Sequence, residues 1–106
     1  MSSRKTALVT GSTSGIGLGI ATALAAGGAN VILNGFGDAA EIEKLRAKLA
    51  ADHAVEVLYD GADLSQQDAI ERMMGTATGE FGAVDILVNN AEIQFVAPID
   101  GGWTVQ

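Results

Sequence analysis

Eight consecutive residues, Thr10-Gly11-Ser12-Thr13-Ser14-Gly15-Ile16-Gly17, combine three glycines with hydroxyl side chains, directly after an apolar run and directly before a helical repeat. Such a junction can bind an anion. The first amides of a helix have no intrahelical acceptor, and the helix dipole places positive potential at the same end. In that frame Gly11 supplies the tight turn. Gly15 lets backbone approach a pyrophosphate with no Cβ in the way, and Gly17 lets the helix pack close to the preceding strand. The spacing is G-x-x-x-G-x-G, a longer turn than G-x-G-x-x-G. No Gly-Lys-Ser/Thr closes it, which argues against ATP or GTP hydrolysis. A plainer explanation stands beside this one: glycines that end a strand and open a helix.

Further chemistry-bearing residues stand where later apolar runs end, and ligands of open α/β sheets bind beyond the carboxyl ends of strands. The second run ends in Asn34-Gly35-Phe36-Gly37-Asp38, about 20 residues past the loop, where an acidic residue often binds an adenosine ribose. Asp38 is near that position and is equally suited to cap the next helix. No lysine or arginine occurs between Lys5 and Lys44. A 2′-phosphate would meet no local cation, so NAD is favoured over NADP. The third run ends in Asp60-Gly61-Ala62-Asp63-Leu64, where Asp63 can accept from an adenine amino group or cap the following turn. The fourth ends in Asn89-Asn90-Ala91, where an asparagine can bind its own backbone and brace the neighbouring strand. His53 is the lone histidine and cysteine is absent, so no metal site is expected.

Periodicity supplies the elements that would position these residues. Ala7-Leu8-Val9 is a short continuous run, as expected of a strand buried on both faces. Ile16, Ile20 and Leu24 then repeat at helical spacing until Gly27-Gly28. Val31-Ile32-Leu33 is a second strand. Asp38 opens a helix with Glu41 three residues on and Ile42, Leu45 and Leu49 along one face. Val55 to Tyr59 reads as a third strand. Ser65-Gln66-Gln67-Asp68 resembles a capping box before Ile70, Met73, Met74, Ala77 and Phe81, with the methionines in the core. Val84 to Val88 is the fourth strand. Strands alternating with helices imply parallel pairing and right-handed crossovers. The expected fold is α/β: a Rossmann-like, doubly wound parallel sheet of four strands in the order 3-2-1-4. Residues 1–91 form the dinucleotide-binding unit, and 92–106, with Pro98, Gly101, Gly102 and Trp103, form an irregular, altered or truncated tail.

Composition narrows the setting. The chain has 106 residues, 13 acidic and 6 basic, a net charge of −7, and 48% apolar residues. One domain is expected and disorder is not. An acidic balance argues against a nucleic-acid partner. No apolar run is long enough for a membrane span, and the amino terminus does not read as a secretory signal. A cytoplasmic location is the expectation.

Taken together, these segments resemble the short-chain dehydrogenase/reductase family. Thr10 to Gly17 is similar to its T-G-x-x-x-G-x-G loop, Asp63-Leu64 to its adenine-contacting pair, and Asn89-Asn90-Ala91 to its N-N-A-G motif. The resemblance implies a cofactor site of Gly11, Thr13, Ser14, Gly15, Ile16, Gly17, Phe36, Asp63, Leu64, Asn90 and Ala91. Asn34 to Asp38, Tyr59 to Ser65 and Ile93-Gln94 are similar to the branch that oxidises 3-hydroxybutyrate to acetoacetate with NAD. There the glutamine matching Gln94 helps bind the substrate carboxylate, although a solvated loop residue is an equal explanation. The family's catalytic serine, tyrosine and lysine fall in the half that follows. The one tyrosine here, Tyr59, has Asp63 rather than lysine four residues on. The expectation is a cofactor-binding part without catalytic residues, whose family oligomer is not retained. A non-catalytic dinucleotide-binding module and a nonfunctional truncation product are the alternatives.

Glu92 stands where the family has the last glycine of N-N-A-G. A carboxylate beside a loop that faces an anionic cofactor is electrostatically unfavourable. If that glycine has positive φ, Glu92 adds backbone strain as well. Glu92→Gly is therefore expected to tighten NAD binding, read by calorimetry. An unchanged affinity would remove this argument.

Overall fold

The computed structural model describes residues 4–90. Four strands alternate with three helices: β1 (Thr6–Val9), α1 (Gly15–Ala26), β2 (Asn30–Asn34), α2 (Ala39–His53), β3 (Val57–Asp60), α3 (Gln67–Phe81) and β4 (Ile86–Val88). All pairings are parallel and the strand order is β3-β2-β1-β4. The doubly wound, Rossmann-like sheet expected from the sequence is therefore the observed one.

Its two faces follow from the period-2 alternation of strand side chains. Val9, Val31, Leu33 and Val57 meet Ala21 and Ala25 of α1 and Leu49 of α2 on one side. Leu8 and Ile32 meet Met73 and Ala77 of α3 on the other. Ala7, Leu8 and Val9 are fully buried, which explains why the run from Ala7 to Val9 is continuously apolar rather than alternating. Ile42 and Leu49 are buried along α2, with Leu45 packed beside them. Met73 is buried and Met74 packs against the same cluster, so both belong to the core. Among the described residues no helix is long and apolar enough to cross a membrane.

Four expectations are corrected. Ile16 is 77% exposed; the buried positions of α1 are the small residues Gly17, Ala21 and Ala25, because only they let the helix lie close to the sheet. The third strand begins at Val57 rather than Val55. Ala54 adopts a left-handed conformation and Val55 N–H still closes on Ala50 of the preceding helix, so the ladder starts two residues later. The fourth strand begins at Ile86 rather than Val84. Asp85 instead pins the strand start, its carboxylate accepting from Thr6 N–H at 2.9 Å and its own N–H donating to Thr6 O. Ser65 does not cap α3: the residue before that helix is Gln66, with no side-chain cap, while Ser65 binds Asp63. The Asp38 cap on α2 is present, accepting from Glu41 N–H at 3.0 Å.

The contrast between Leu33 and Ile16 is directly testable. Leu33→Ala, at a fully buried site, is expected to lower the unfolding free energy by about 2–5 kcal/mol. Ile16→Ala should leave it within about 0.5 kcal/mol. Urea unfolding of the two variants would separate them; equal losses would contradict the observed packing of α1.

Candidate functional site

All four strands point their carboxyl ends at one edge, so the segments after β1, β2, β3 and β4 meet there. The central segment runs from Thr10 into α1. Gly11 has φ +59° and Gly15 φ +61°, both in the left-handed region that glycine tolerates. A Cβ on Gly15 would meet nothing, leaving this side of the turn open. At Gly17 the reason is close approach: a Cβ would overlap the Gly11 carbonyl and the Asn90 amide. Asn90 donates from Nδ2 to Gly11 O at 3.4 Å and from its backbone to Thr10 Oγ1 at 2.7 Å. Thr10 Oγ1 donates to Asn89 Oδ1 at 3.2 Å. The asparagine bracing read from the sequence is thus realised between β4 and the glycine loop.

The first turn of α1 is left open to an anion. Ser14, its N-cap, makes no side-chain capping bond, and the turn contains no acidic residue. Gly15, Ile16 and Gly17 therefore present amides with no intrahelical acceptor at the positive end of a 12-residue helix. Ser14, Gly15 and Ile16 are all exposed.

Two buried polar residues hold this loop to its neighbours. Ser12 is fully buried; its hydroxyl donates to Val9 O at 2.7 Å and accepts from Asn34 N–H at 3.0 Å. Asn34 is 2% exposed. Its Oδ1 accepts from Gly11 N–H at 3.3 Å, and its Nδ2 donates to Asp60 O at 3.0 Å and to Ala62 O at 3.1 Å. Neither was singled out from the sequence. The available signal was a polar residue at the end of an otherwise apolar strand, which if buried must find partners.

After β2, Phe36 is 71% exposed, and its carbonyl accepts from Thr13 Oγ1 at 3.2 Å. After β3, Asp63 is exposed and Leu64 half-buried. Asp63 Oδ1 accepts from Ser65 N–H at 2.9 Å and from Ser65 Oγ at 2.7 Å. These bonds, the hydroxyl first and the amide second, hold the Asp63 carboxyl below its ordinary range. The turn-capping role is thus real, and Oδ2 is left available. The cations of α2 are engaged elsewhere: Lys44 with Glu41, Arg46 with Glu43 and the Val57 carbonyl, Lys48 with Asp52. Among the described residues no cluster of metal-ligating side chains occurs. Ala91, Glu92 and Gln94 lie outside the described residues.

The edge so assembled has close counterparts in known proteins. The D-beta-hydroxybutyrate dehydrogenase of Cupriavidus necator is 61% identical over 97 residues, covering 91% of this chain and 36% of that protein. The enzyme of the same name from Rhizobium meliloti is 49% identical over 96 residues, covering 91% and 37%. The chain thus spans about a third of the length of these relatives. The crystal structure of L-sorbose reductase from Gluconobacter frateurii, complexed with NADPH and L-sorbose, superposes with a TM-score of 0.80 at 33% identity, covering 92% of this chain and 37% of that one. The profile of the short chain dehydrogenases matches residues 5–101. With its strand order, its glycine loop and that match in agreement, the chain belongs to the short-chain dehydrogenase family.

Proposed function

We propose that this chain is the cofactor-binding part of an NAD-dependent oxidoreductase that takes D-3-hydroxybutyrate to acetoacetate. The carrying observation is the uncapped, acid-free first turn of α1, held beside Asn90 by a glycine with no room for a Cβ. That cradle suits a pyrophosphate, and the fit concerns this chain's own amides rather than any charged side chain. In this reading Gly11, Thr13, Ser14, Gly15, Ile16 and Gly17 receive the pyrophosphate. Phe36, Asp63 and Leu64 receive the adenosine, with Asp63 Oδ2 accepting from the adenine amino group. Asn90 and Ala91 are assigned to the nicotinamide half, and Gln94 to binding of the substrate carboxylate. The choice of substrate rests on the 61% identity to a D-beta-hydroxybutyrate dehydrogenase.

When bound, the dinucleotide supplies the hydride acceptor. The chain's own residues bind and orient it. NAD is favoured over NADP because residues 6–43 contain no lysine or arginine and the nearest cations, on α2, are paired with carboxylates. We assign no proton-transferring residue within 1–106, since Tyr59 lacks a lysine four residues on. That spacing equally suits a second reading, a dinucleotide-binding module without turnover. In either reading the unit is residues 1–91.

Calorimetric titration of the full chain tests this. NAD should bind more tightly than NADP by at least about tenfold, the ratio that ~1.4 kcal/mol of unfavourable charge contact produces. Gly17→Ala should abolish binding of both, because the new methyl displaces either the Gly11 carbonyl or Asn90. Asp63→Asn should weaken NAD binding and leave the fold intact. Absence of NAD binding to the unmodified chain would sink the proposal. NADH formation on D-3-hydroxybutyrate well above background would overturn the assignment of no proton-transferring residue.

A further inference from the structure

The segment that joins β2 to α2 is held by an unusual pair of contacts. Phe36 lies between Gly35, with φ +149°, and Gly37, with φ +156°. Both flanking residues thus have the conformational range of glycine, and the exposed Phe36 ring gains no anchorage from the core. Two hydroxyls hold it instead. Thr13 Oγ1, from the glycine loop, donates to the Phe36 carbonyl. Tyr59 Oη, from β3, donates to the Gly35 carbonyl. Successive carbonyls are therefore gripped from the two sides, by the glycine loop and by β3.

The surrounding glycines fit this grip. A Cβ on Gly35 would lie 2.5 Å from Thr13 Oγ1. A Cβ on Gly61 would lie 2.8 Å from Tyr59 Oη. Gly61 is not among the positive-φ glycines, so backbone conformation gives no reason for it; room for the tyrosine hydroxyl does.

The peptide unit transmits the grip. The chain has no cis peptide among its described residues, and a trans peptide is planar with its C=O and N–H opposed. Fixing the Gly35 carbonyl toward Tyr59 therefore fixes the Phe36 N–H in the opposite direction. That N–H makes no hydrogen bond among the described residues. It stands at the end of β2, where a doubly wound sheet receives the adenosine ribose of a dinucleotide.

We propose that Tyr59 is a positioning residue for cofactor recognition: its hydroxyl orients the Gly35–Phe36 peptide so that Phe36 N–H donates to the 2′-hydroxyl of the adenosine ribose. This rests on the dinucleotide reading above. Tyr59 is then a pin for the cofactor pocket and takes no part in proton transfer.

The test compares NAD with its 2′-deoxyadenosine analogue by calorimetry, on the full chain and on Tyr59→Phe and Gly61→Ala, with melting temperatures recorded alongside. The unmodified chain should prefer NAD by about 3- to 10-fold, the range of one hydrogen bond. Both variants should lose that preference, through weaker NAD binding and an unchanged affinity for the analogue. Tyr59→Phe keeps the ring, so its melting temperature should stay close to that of the unmodified chain. A preference that survives in Tyr59→Phe overturns the proposal. So does a parallel loss for both nucleotides with a lowered melting temperature, which marks a merely structural role. An unmodified chain that binds neither nucleotide overturns the dinucleotide reading, and the role of Tyr59 with it.

Discussion

The side chain of Asn34 closes β2 inside the protein, and the whole ligand-facing edge is built around it. Its oxygen accepts from the glycine loop at Gly11, and its amide group donates to the end of β3 at Asp60 and to the following segment at Ala62. Its backbone is meanwhile bound to Ser12 in both directions. Three connections that are distant in sequence are thereby fixed relative to one another. Only an amide fits: a carboxylate could not donate to two carbonyls, and an apolar residue would leave a buried N–H and two carbonyls short of partners. Each such orphan costs about 1–3 kcal/mol. The described residues contain no buried side-chain polar atom without a partner, so the network is complete rather than half satisfied.

A rigid edge matters because the chain carries a net charge of −7 and is read as the binder of an anion. Long-range attraction cannot be the source of affinity. What remains is short-range: amides at the first turn of α1, a turn with no capping side chain and no acidic residue of its own. A helix terminus contributes roughly 0.3–1 kcal/mol toward an anion when exposed and up to ~2 when partly buried, and the effect fades beyond the first turn. Such donors work only if their positions are set beforehand. Asn34, Ser12 and Asn90 supply that setting, and Gly17 permits it by omitting a Cβ where Asn90 and Gly11 meet.

The strand order, the helix faces of α2 and α3 and the places of Gly11, Gly15 and Gly17 were legible in the sequence. They depend on apolar period and on local turn chemistry, which neighbouring residues reveal. Ile16 was not legible in this way. It falls on the same repeat as Ile20 and Leu24, yet it is exposed because α1 packs through its glycine and alanines. Periodicity ranks residues by hydrophobicity and cannot see that close approach favours the smallest side chains. Asn34 and Ser12 were missed for another reason: apart from the Ser12 bond to Val9, the bonds that tie them into the edge span 22 to 28 residues, and no local pattern encodes a network of that span. The starts of β3 and β4 were each placed two residues early, because Val55 and Val84 are apolar but pack without joining the ladder.

The hydroxyls of the site divide by the same logic. Thr10, Ser12, Thr13 and Tyr59 all donate to carbonyl or amide oxygens of the protein. A hydroxyl so engaged stabilises a loop, and it would have to break that bond before exchanging a proton with a substrate. Ser14 differs: it is exposed and makes no capping bond, which leaves its hydroxyl open for the pyrophosphate contact proposed above. The described edge is therefore organised to hold its own loops in register. Its reactive-looking residues serve geometry, and the one tyrosine, whose side chain could in principle move a proton, is engaged in shaping the loop next to it.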